Sequence, residues 1–211
     1  MKLLIGIPTI NRADLLNAAL EKYHECYPNL NIIVVDNGVN QNIDTRNPKL
    51  RVFVQTSNLG VAASWNVILR TAFSEGFTHA LILNDDIELV MAEADLLGHI
   101  SKYSDNTFLF QLGTWCSFVV PKKVYEEVGP FDEQFFPAYF EDNDYAMRIK
   151  LNPNVQIAWE GGLCPTLYRN SMTIERDNTL NRNFMNNRQK FIAKWGGEPG
   201  HETFTKPYNQ P

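Results

Sequence analysis

The sequence lacks the glycine-rich and cysteine-rich motifs that identify many nucleotide-binding and metal-binding proteins. Its 12 glycines form neither GxGxxG nor GxxxxGKS/T, so a Rossmann cofactor site and a P-loop lose their usual support. Its three cysteines, Cys26, Cys116 and Cys164, are far apart and fit no CxxC or Cys/His ligand spacing. They therefore indicate neither a disulfide framework nor a structural zinc site, and they favour a reducing, cytoplasmic compartment.

Positive charge and long apolar runs are also scarce. The 19 basic residues are outnumbered by 24 acidic ones, give a formal net charge of -5 and form no basic stripe, so nucleic acid is not an expected partner. No apolar run approaches the roughly 20 residues that a membrane helix requires. Pro8 and Asn11-Arg12 interrupt the apolar N-terminus before a signal sequence is complete. We expect no transmembrane segment, and we interpret the N-terminal run as a first strand.

The hydrophobic pattern is that of a globular α/β protein. With 211 residues, 44% of them hydrophobic, the chain can bury a full core in a single domain. Runs rich in Ile and Val (KLLIGI, NIIVVD, RVFVQ, HALILND) alternate with the helical patterns ADLLNAALEKYHE and VAASWNVILRTAFSEG. This alternation predicts a mainly parallel central sheet flanked by helices. Beyond about Ser104 aromatics and prolines increase but no linker appears, so we expect one domain over residues 1–211.

The second half offers fewer elements. FLFQL and CSFVV are expected strands, KKVYEEVG a short helix, and residues 178–195 a closing segment with helical spacing. The tail that follows is rich in Gly and Pro and is expected to be a loop.

Three polar clusters directly follow predicted strands. They are Pro8-Thr9, Asp36-Asn37 and Asn84-Asp85-Asp86. Parallel sheets bind ligands at the carboxyl ends of their strands, so we expect the three clusters to converge at one edge of the sheet.

The stretch LILNDDIEL allows two interpretations. Adjacent carboxylates repel each other, and a hard cation such as Mg²⁺ or Mn²⁺, held by one or two carboxylates and a substrate diphosphate, would offset that repulsion. Alternatively, Asp85 or Asp86 caps a helix that begins near Met91, or holds a turn. Asp36 also allows two interpretations. It can accept hydrogen bonds from a nucleotide, or it can simply precede a turn at Asn37-Gly38 that needs no ligand.

A second acidic cluster lies in FFPAYFEDNDYAMRI. Glu141 and Asp142 stand at a predicted helix start, where the helix N-terminus can hold one carboxylate while the other acts as a general base. Asp144 and Arg148 have the spacing of an ordinary i,i+4 ion pair.

The histidines and large aromatics carry less information. His24 and His99 lie in helical patterns and are expected at the surface, and His201 is the one histidine placed to reach a metal, although an ordinary loop residue explains it as well. Trp115, Phe118 and Trp159 are expected in the core, with an exposed indole face able to stack on a sugar ring.

Several segments in this order resemble the GT-A glycosyltransferases of family 2, which include bacterial and viral rhamnosyltransferase-like enzymes. The matching segments are IGIPTINR, IIVVDNG, SNLGVAASWN, LILNDDI, EVGPFDEQFFPAYFEDNDYAMRI and KFIAKWGG. The resemblance implies a GT-A fold with a nucleotide-binding half over about residues 1–103 and an acceptor and catalytic half over about 104–211. It also implies a cytoplasmic location, in the host if the chain is viral.

The resemblance assigns roles to individual residues. A nucleotide diphosphate sugar would be contacted by Pro8, Thr9, Asn11, Arg12, Asp36, Asn37, Asn66, Asn84 and Asp85. The metal, Mn²⁺ or Mg²⁺, would be bound by Asp86 and, late in the chain, by His201. The acidic pair near the acceptor would be Glu141 and Asp142, with the aspartate as the base.

The chain departs from the family pattern at three places. Asn84 occupies the first position of the DxD motif, so a metal would depend chiefly on Asp86 and on diphosphate oxygens. Trp65 stands where relatives often have an arginine. No histidine occurs near Leu167-Tyr168, which leaves His201 as the late ligand.

The expected function is metal-dependent transfer of a sugar from a UDP-sugar to a glycan hydroxyl. Attack assisted by Asp142 would invert the anomeric centre, and a retaining route is the alternative if Asp142 does not reach the acceptor. Two other functions stay open: sugar-phosphate nucleotidyl transfer, although PTINR is not the Gly-rich loop of such enzymes, and non-catalytic carbohydrate binding.

Overall fold

The computed structural model describes residues 1–39, 41–89, 91–110, 115–159, 166–168 and 183–210. The strands are β1 (Leu3–Thr9), β2 (Asn31–Asp36), β3 (Leu50–Val54), β4 (His79–Leu83), β5 (Ile87–Leu89), β6 (Thr107–Phe110), β7 (Ser117–Pro121), β8 (Gln156–Trp159) and β9 (Thr166–Tyr168). The helices are α1 (Ala13–Cys26), α2 (Val61–Ser74), α3 (Glu93–Ile100), α4 (Lys122–Val128), α5 (Glu141–Leu151) and α6 (Phe184–Trp195). A 3₁₀ turn at Pro207–Asn209 follows.

Seven strands form one sheet in the order β3-β2-β1-β4-β7-β6-β8. All neighbouring pairs are parallel except those made by β7, which runs antiparallel to both β4 and β6. The predicted α/β fold with a mainly parallel sheet is confirmed. The chain leaves β1 towards β2 on one side and later returns to β4 on the other, so a topological switch point lies between β1 and β4.

Two apolar layers explain why the Ile- and Val-rich runs became central strands. One face of the sheet packs against α1 through Leu16, Leu20 and Tyr23, and the other packs against α2 through Trp65 and Ile68. Strands covered on both faces need continuous apolar sequence, and all five residues of β4 are buried.

The approach of α2 to the sheet is close enough to require glycine. A Cβ added to Gly6 would lie 2.2 Å from Cγ2 of Ile68. The isolated Gly6 of the first strand therefore serves packing between layers.

Several expectations are corrected by the structure. The helix expected near Met91 begins at Glu93, with Ala92 as its N-cap and no side-chain cap, because β5 intervenes after the aspartates. His99 is buried and packs edge-on against Tyr103, with ring centroids 5.8 Å apart. Trp159 is 62% exposed, since it lies on the edge strand β8 with one face stacked on Phe110.

Other expectations lie partly outside the described residues. The closing helix begins at Phe184, while 178–182 and Cys164 fall outside the described ranges. Within the described ranges, Cys26 and Cys116 form no disulfide. Among the described helices, none combines the length and the hydropathy needed to cross a membrane.

A buried cluster of charges joins α5 to α6. Asp144, fully buried, accepts hydrogen bonds from Nε of Arg148 and from Nε1 of Trp195, each at 2.9 Å. Lys194, 6% exposed, places its Nζ 2.6 Å from carboxylate oxygens of both Asp144 and Asp132. The expected Asp144–Arg148 pair is confirmed as one part of this larger network, which fixes the second half of the chain against itself.

Replacing Lys194 by Met should lower the free energy of unfolding by about 3 kcal/mol, because two buried carboxylates lose their shared cation. Urea unfolding followed by circular dichroism would measure this, with a fall in Tm of about 6–12 °C in parallel. The double variant Lys194→Met/Asp132→Asn should recover part of the loss, and Lys122→Met, at an exposed pair, should change stability by less than about 0.5 kcal/mol. A Lys194→Met protein as stable as the wild type would contradict the structural role of the cluster.

Candidate active site

A cleft opens at the switch point between β1 and β4. Its volume is about 140 Å³, smaller than the roughly 300–1,000 Å³ typical of small-molecule sites. Its lining is formed by Pro8, Thr9, Ile10, Asn37, Asn58, Gly60, Val61, Ser64, Asn84, Asp85, Asp86, Pro137 and Ala138. Residues from all three predicted polar clusters are among them.

Hydrogen bonds connect the ends of three strands around Thr9. The hydroxyl of Thr9 donates to Oδ2 of Asp85 at 2.7 Å, and its carbonyl accepts the main-chain N–H of Asn37 at 2.9 Å. The side-chain amide of Asn37 in turn donates to Oγ of Ser64 at 2.9 Å. The expected convergence of the clusters is confirmed, and the network also reaches α2.

The backbone of Asn84-Asp85-Asp86 forms a turn between β4 and β5. Asn84 donates its N–H to the carbonyl of Cys116 at 2.9 Å, and Ile87 donates back to the carbonyl of Asn84 at 3.2 Å. Two roles that need no ligand were expected for these aspartates, a turn and a helix cap. The structure shows the turn, and α3 has no side-chain cap. The turn leaves Asp85 and Asp86 in the cleft, 6% and 5% exposed.

Arg12 supplies positive charge to this acidic turn from within the protein. It is 3% exposed, and its guanidinium donates two hydrogen bonds to the carboxylate of Asp14, at 2.9 and 3.1 Å. The bond to Asp14 raises the pKa of Arg12 against the effect of burial, and the charges of Asp85 and Asp86 add to the rise. The repulsion between the two aspartates is thus partly offset without any ligand.

The donor set of the cleft fits a hard divalent cation. Two nearly buried carboxylates and an amide oxygen, from Asp85, Asp86 and Asn84, are the oxygen ligands that Mg²⁺ and Mn²⁺ prefer. Within the described ranges no group of three or more His, Cys, Asp or Glu residues could hold a metal. A cation here would therefore complete its coordination with water and ligand oxygens.

The other predicted ligand of the metal, His201, does not line the cleft. It is exposed in the loop after α6, where its N–H donates to the carbonyl of Glu198 at 2.8 Å.

Asp36 and Asn11 shape the loops beside the cleft. The buried carboxylate of Asp36 accepts the N–H of Gly38 at 2.8 Å and a further bond from Nε2 of Gln41. Asn11, at a φ of 54°, accepts the N–H of Val39 at 3.1 Å. Neither residue is among those that line the cleft.

Asn66 lies outside the cleft as well, and its amide is engaged elsewhere. Its Oδ1 accepts the N–H of Phe131 at 2.8 Å, and its Nδ2 donates to the carbonyl of Phe131 at 2.9 Å and to Glu133 at 2.8 Å. This position ties α2 to the loop before α5, so its predicted contact with a nucleotide has no support in the geometry.

Sequence reasoning missed the wall formed by Gly60 and Pro137. The N–H of Val61 donates to the carbonyl of Pro137 at 2.8 Å, while Asn187 of α6 donates to the next carbonyl, that of Ala138, at 2.9 Å. Gly60 has a φ of 81°, and a Cβ on it would lie 2.8 Å from the Pro137 carbonyl oxygen. The quoted SNLG segment was a signal for this wall, because an Asn-Leu-Gly run before a helix predicts a special turn.

Glu141 and Asp142 begin α5, three residues beyond the wall at Ala138. They are not among the lining residues of the cleft. Glu141 is 5% exposed, and its Oε2 has no hydrogen-bond partner among the described residues. Burial, together with the charge of Asp142, raises the pKa of Glu141 well above its usual value.

Asp142 is half-buried and is therefore more accessible to solvent than Glu141. Its Oδ1 accepts the N–H of Asn143 at 2.8 Å, while burial raises the pKa of its carboxyl. Two adjacent carboxyls with raised pKa values are suited to general acid–base chemistry.

Replacing Gly60 by Ala should destabilise the protein by about 3 kcal/mol, through backbone strain and the clash with Pro137. Gly76→Ala is the matched control, since Gly76 has a φ of 80° but open space around its Cβ, and it should cost only about 1 kcal/mol. Urea unfolding measures both, and faster amide exchange at Val61 should accompany the first alone. Equal effects of the two substitutions would show that the wall is not constrained at Gly60.

The fold agrees with solved structures of glycosyltransferases. S. aureus TarS matches with a TM-score of 0.59 and 16% identity over 77% of this chain and 37% of its own. The mannosyltransferase PcManGT of Pyrobaculum calidifontis, in complex with GDP-Man and Mn²⁺, matches with a TM-score of 0.54 and 15% identity, over 77% of this chain and 56% of its own. GalNAc-T7, with UDP, GalNAc and Mn²⁺, matches with a TM-score of 0.57 and 12% identity, over 92% of this chain and 50% of its own. The chain thus spans about a third to somewhat over half of these proteins.

Sequence comparison identifies the family. No curated protein sequence matches the chain significantly. The model of the family described as Glycosyl transferase family 2, however, matches residues 4–126, which include β1 apart from Leu3, β2 to β4, the acidic turn and most of α4. Since this match covers more than half of the 211 residues and the architecture agrees with it, the chain belongs to glycosyl transferase family 2 and has the GT-A fold.

Proposed function

We propose that the protein transfers a sugar from a nucleotide diphosphate sugar, a UDP-sugar, to a hydroxyl group of a glycan. The observation that carries the proposal is the pair of nearly buried carboxylates, Asp85 and Asp86, in the cleft between β1 and β4. Among the similar structures, TarS has been solved with UDP and with UDP-GlcNAc, and PcManGT with GDP-Man. The choice of uridine over guanosine rests on the resemblance to UDP-sugar enzymes and is tested below.

The donor would lie along the carboxyl ends of β2, β1 and β4. Asp36, held by the N–H of Gly38, would accept the N–H of uracil, and the main chain at Thr9 would contact the base or ribose. Asp85, oriented by the hydroxyl of Thr9, would face the ribose or the phosphates. Buried acceptors of this kind reject ligands that lack the matching donor, because their hydrogen bonds would be left unmade.

The diphosphate end of the donor would be held at Asp86. A Mn²⁺ or Mg²⁺ ion bound there with the donor supplies Lewis-acid stabilisation of the leaving diphosphate. Arg12 limits the negative charge that the turn presents before the ligand arrives. Asn84 offers only a neutral oxygen, so the chain contributes few charged ligands and the donor phosphates complete the set.

Asp142 would accept the proton of the attacking hydroxyl. Burial raises its pKa, which makes it a stronger base than an ordinary aspartate. Beside it, burial and the charge of Asp142 raise the pKa of Glu141 well above its usual value, which favours the protonated form of Glu141 relative to an ordinary glutamate. Attack on the face opposite the leaving diphosphate would invert the anomeric centre.

Calorimetric titration with UDP, GDP and CMP, each with and without Mn²⁺, tests the donor site. We expect UDP to bind most tightly and Mn²⁺ to strengthen its binding at least tenfold. Asp86→Ala should abolish the gain from Mn²⁺, whereas Asp95→Ala, at an exposed position of α3, should leave it unchanged. Binding of UDP that ignores Mn²⁺, or that survives Asp86→Ala intact, would exclude the metal role. A protein that binds glycans but no nucleotide would instead be a carbohydrate-binding domain.

Asp142→Asn should retain UDP binding. With a panel of simple glycosides as acceptors, it should lower the rate at which UDP is released from UDP-sugars by about 10²–10⁴-fold. Because the pKa of Asp142 is raised, wild-type activity should fall on acidification at a pH above the ordinary aspartate value of about 3.9. Asp105→Asn, at an exposed aspartate, is the control. Transfer at the normal rate by Asp142→Asn would remove this residue from the mechanism.

A further inference from the structure

We propose that Tyr23 is a positioning residue for Asp86, acting through the main chain of Ile87. This inference deepens the proposed function and rests on it. It adds a buried hydroxyl on α1, which does not line the cleft, to the groups that determine how well the acidic turn binds its ligand.

The central sheet stops supporting the acidic turn before Asp86 is reached. The β4–β7 ladder ends at Leu83, and the N–H of Asn84 makes one more bond, to the carbonyl of Cys116. Beyond that point the chain enters β5, which belongs to a separate two-stranded sheet with β9. The position of Asp86 relative to the central sheet must therefore be set by other contacts.

Helix α1 provides those contacts. Tyr23 is fully buried, and its hydroxyl donates a hydrogen bond to the carbonyl oxygen of Ile87, the residue that follows Asp86. Ile87 and Leu89 are also fully buried and pack in the same apolar layer as Leu16 and Leu20 of α1. The bond is therefore shielded from water, which could otherwise take the place of the hydroxyl.

Asp86 is thus flanked by two buried hydroxyl groups from different elements. On its N-terminal side the hydroxyl of Thr9 holds the side chain of Asp85, and on its C-terminal side the hydroxyl of Tyr23 holds the main chain of Ile87. Fixing both neighbours restricts the orientation of the carboxylate between them. Such restriction matters for binding, because a site held within about 0.5 Å of its productive geometry loses less entropy and pays less reorganisation when the ligand arrives.

Removing the hydroxyl of Tyr23 leaves the carbonyl of Ile87 in an apolar layer without this donor. The strand must then shift or leave this carbonyl without its hydrogen bond, at a free-energy cost of about one hydrogen bond. We expect Tyr23→Phe to reduce the gain in UDP affinity produced by Mn²⁺ by about three- to tenfold, while UDP affinity without metal changes by less than about twofold.

Tyr27→Phe is the matched control. Tyr27 is equally buried, its ring centroid lies 5.7 Å from that of Tyr23, and the substitution removes the same atom from the same layer. Calorimetry of UDP with and without Mn²⁺ compares both variants with the wild type, and circular dichroism checks that they are folded. Amide exchange at Glu88 should quicken about three- to tenfold in Tyr23→Phe and not in Tyr27→Phe.

The outcomes separate this inference from the proposed function. If the wild type gains UDP affinity from Mn²⁺ and Tyr23→Phe retains the same gain, the positioning role is wrong and the donor site stands. If both tyrosine variants lose the gain equally, Tyr23 acts only through general stability, which also overturns the role. If the wild type shows no gain from Mn²⁺, the proposed metal site and the role of Tyr23 fail together.

Discussion

Two carboxylates, each at least nine-tenths buried and adjacent in the chain, impose the main constraint on this molecule. Asp85 and Asp86 can occupy the end of β4 only if neighbouring groups stabilise their charges. The first strand and the loop after it contribute to that stabilisation, through the Thr9 hydroxyl and the Arg12 guanidinium. The N-terminal loop and the acidic turn are thus one electrostatic unit, built from segments 76 residues apart.

The second half of the chain is organised by another buried charge. Helix α5 carries Glu141 and Asp144 within one turn, and both are almost inaccessible to water. Asp144 is neutralised by Lys194 and Arg148, whereas Glu141 has no such partner among the described residues and has a raised pKa. The paired carboxylate of Asp144 connects α5 to α6. A single turn of helix therefore holds one carboxylate that is paired with cations and another whose pKa is raised by burial.

Strands β1 to β4, β6 and β7 were predicted to within two residues at each end, because burial of the central strands on both faces demands continuous apolar sequence, whereas β5, β8 and β9 were not predicted. NIIVVD is β2 without change, and the helical spacing of α1 and α2 is equally direct. Strand β5 was missed because its three residues, IEL, are too few to show a hydrophobic period. As a result, α3 begins two residues later than expected. The burial of His99 and the exposure of Trp159 depend on which elements pack over them, which local sequence does not reveal.

Residues of the candidate site could be predicted from the sequence where they lie at the ends of strands, but not where tertiary contacts determine their position. Thr9, Asn37 and Asp85 come together because parallel strands end at one edge. Asn66 was placed with them from its motif, yet its amide bonds to the main chain of Phe131. SNLG signals a special turn at Gly60, but the contact of that glycine with Pro137, 77 residues later, depends on tertiary packing that the local sequence does not reveal.

The pairing of β5 with β9 has a consequence for how the protein is made. Ile87 lies opposite Tyr168, so the strand that follows the acidic turn waits for a partner 81 residues farther along the chain. During synthesis the residues of the cleft from β1, β2 and β4 emerge well before β9 exists, and closing so long a loop is entropically slow. Until then β5 exposes an open strand edge. The strand that follows the acidic turn therefore acquires its sheet partner only after the chain has passed beyond the segment that identifies its family.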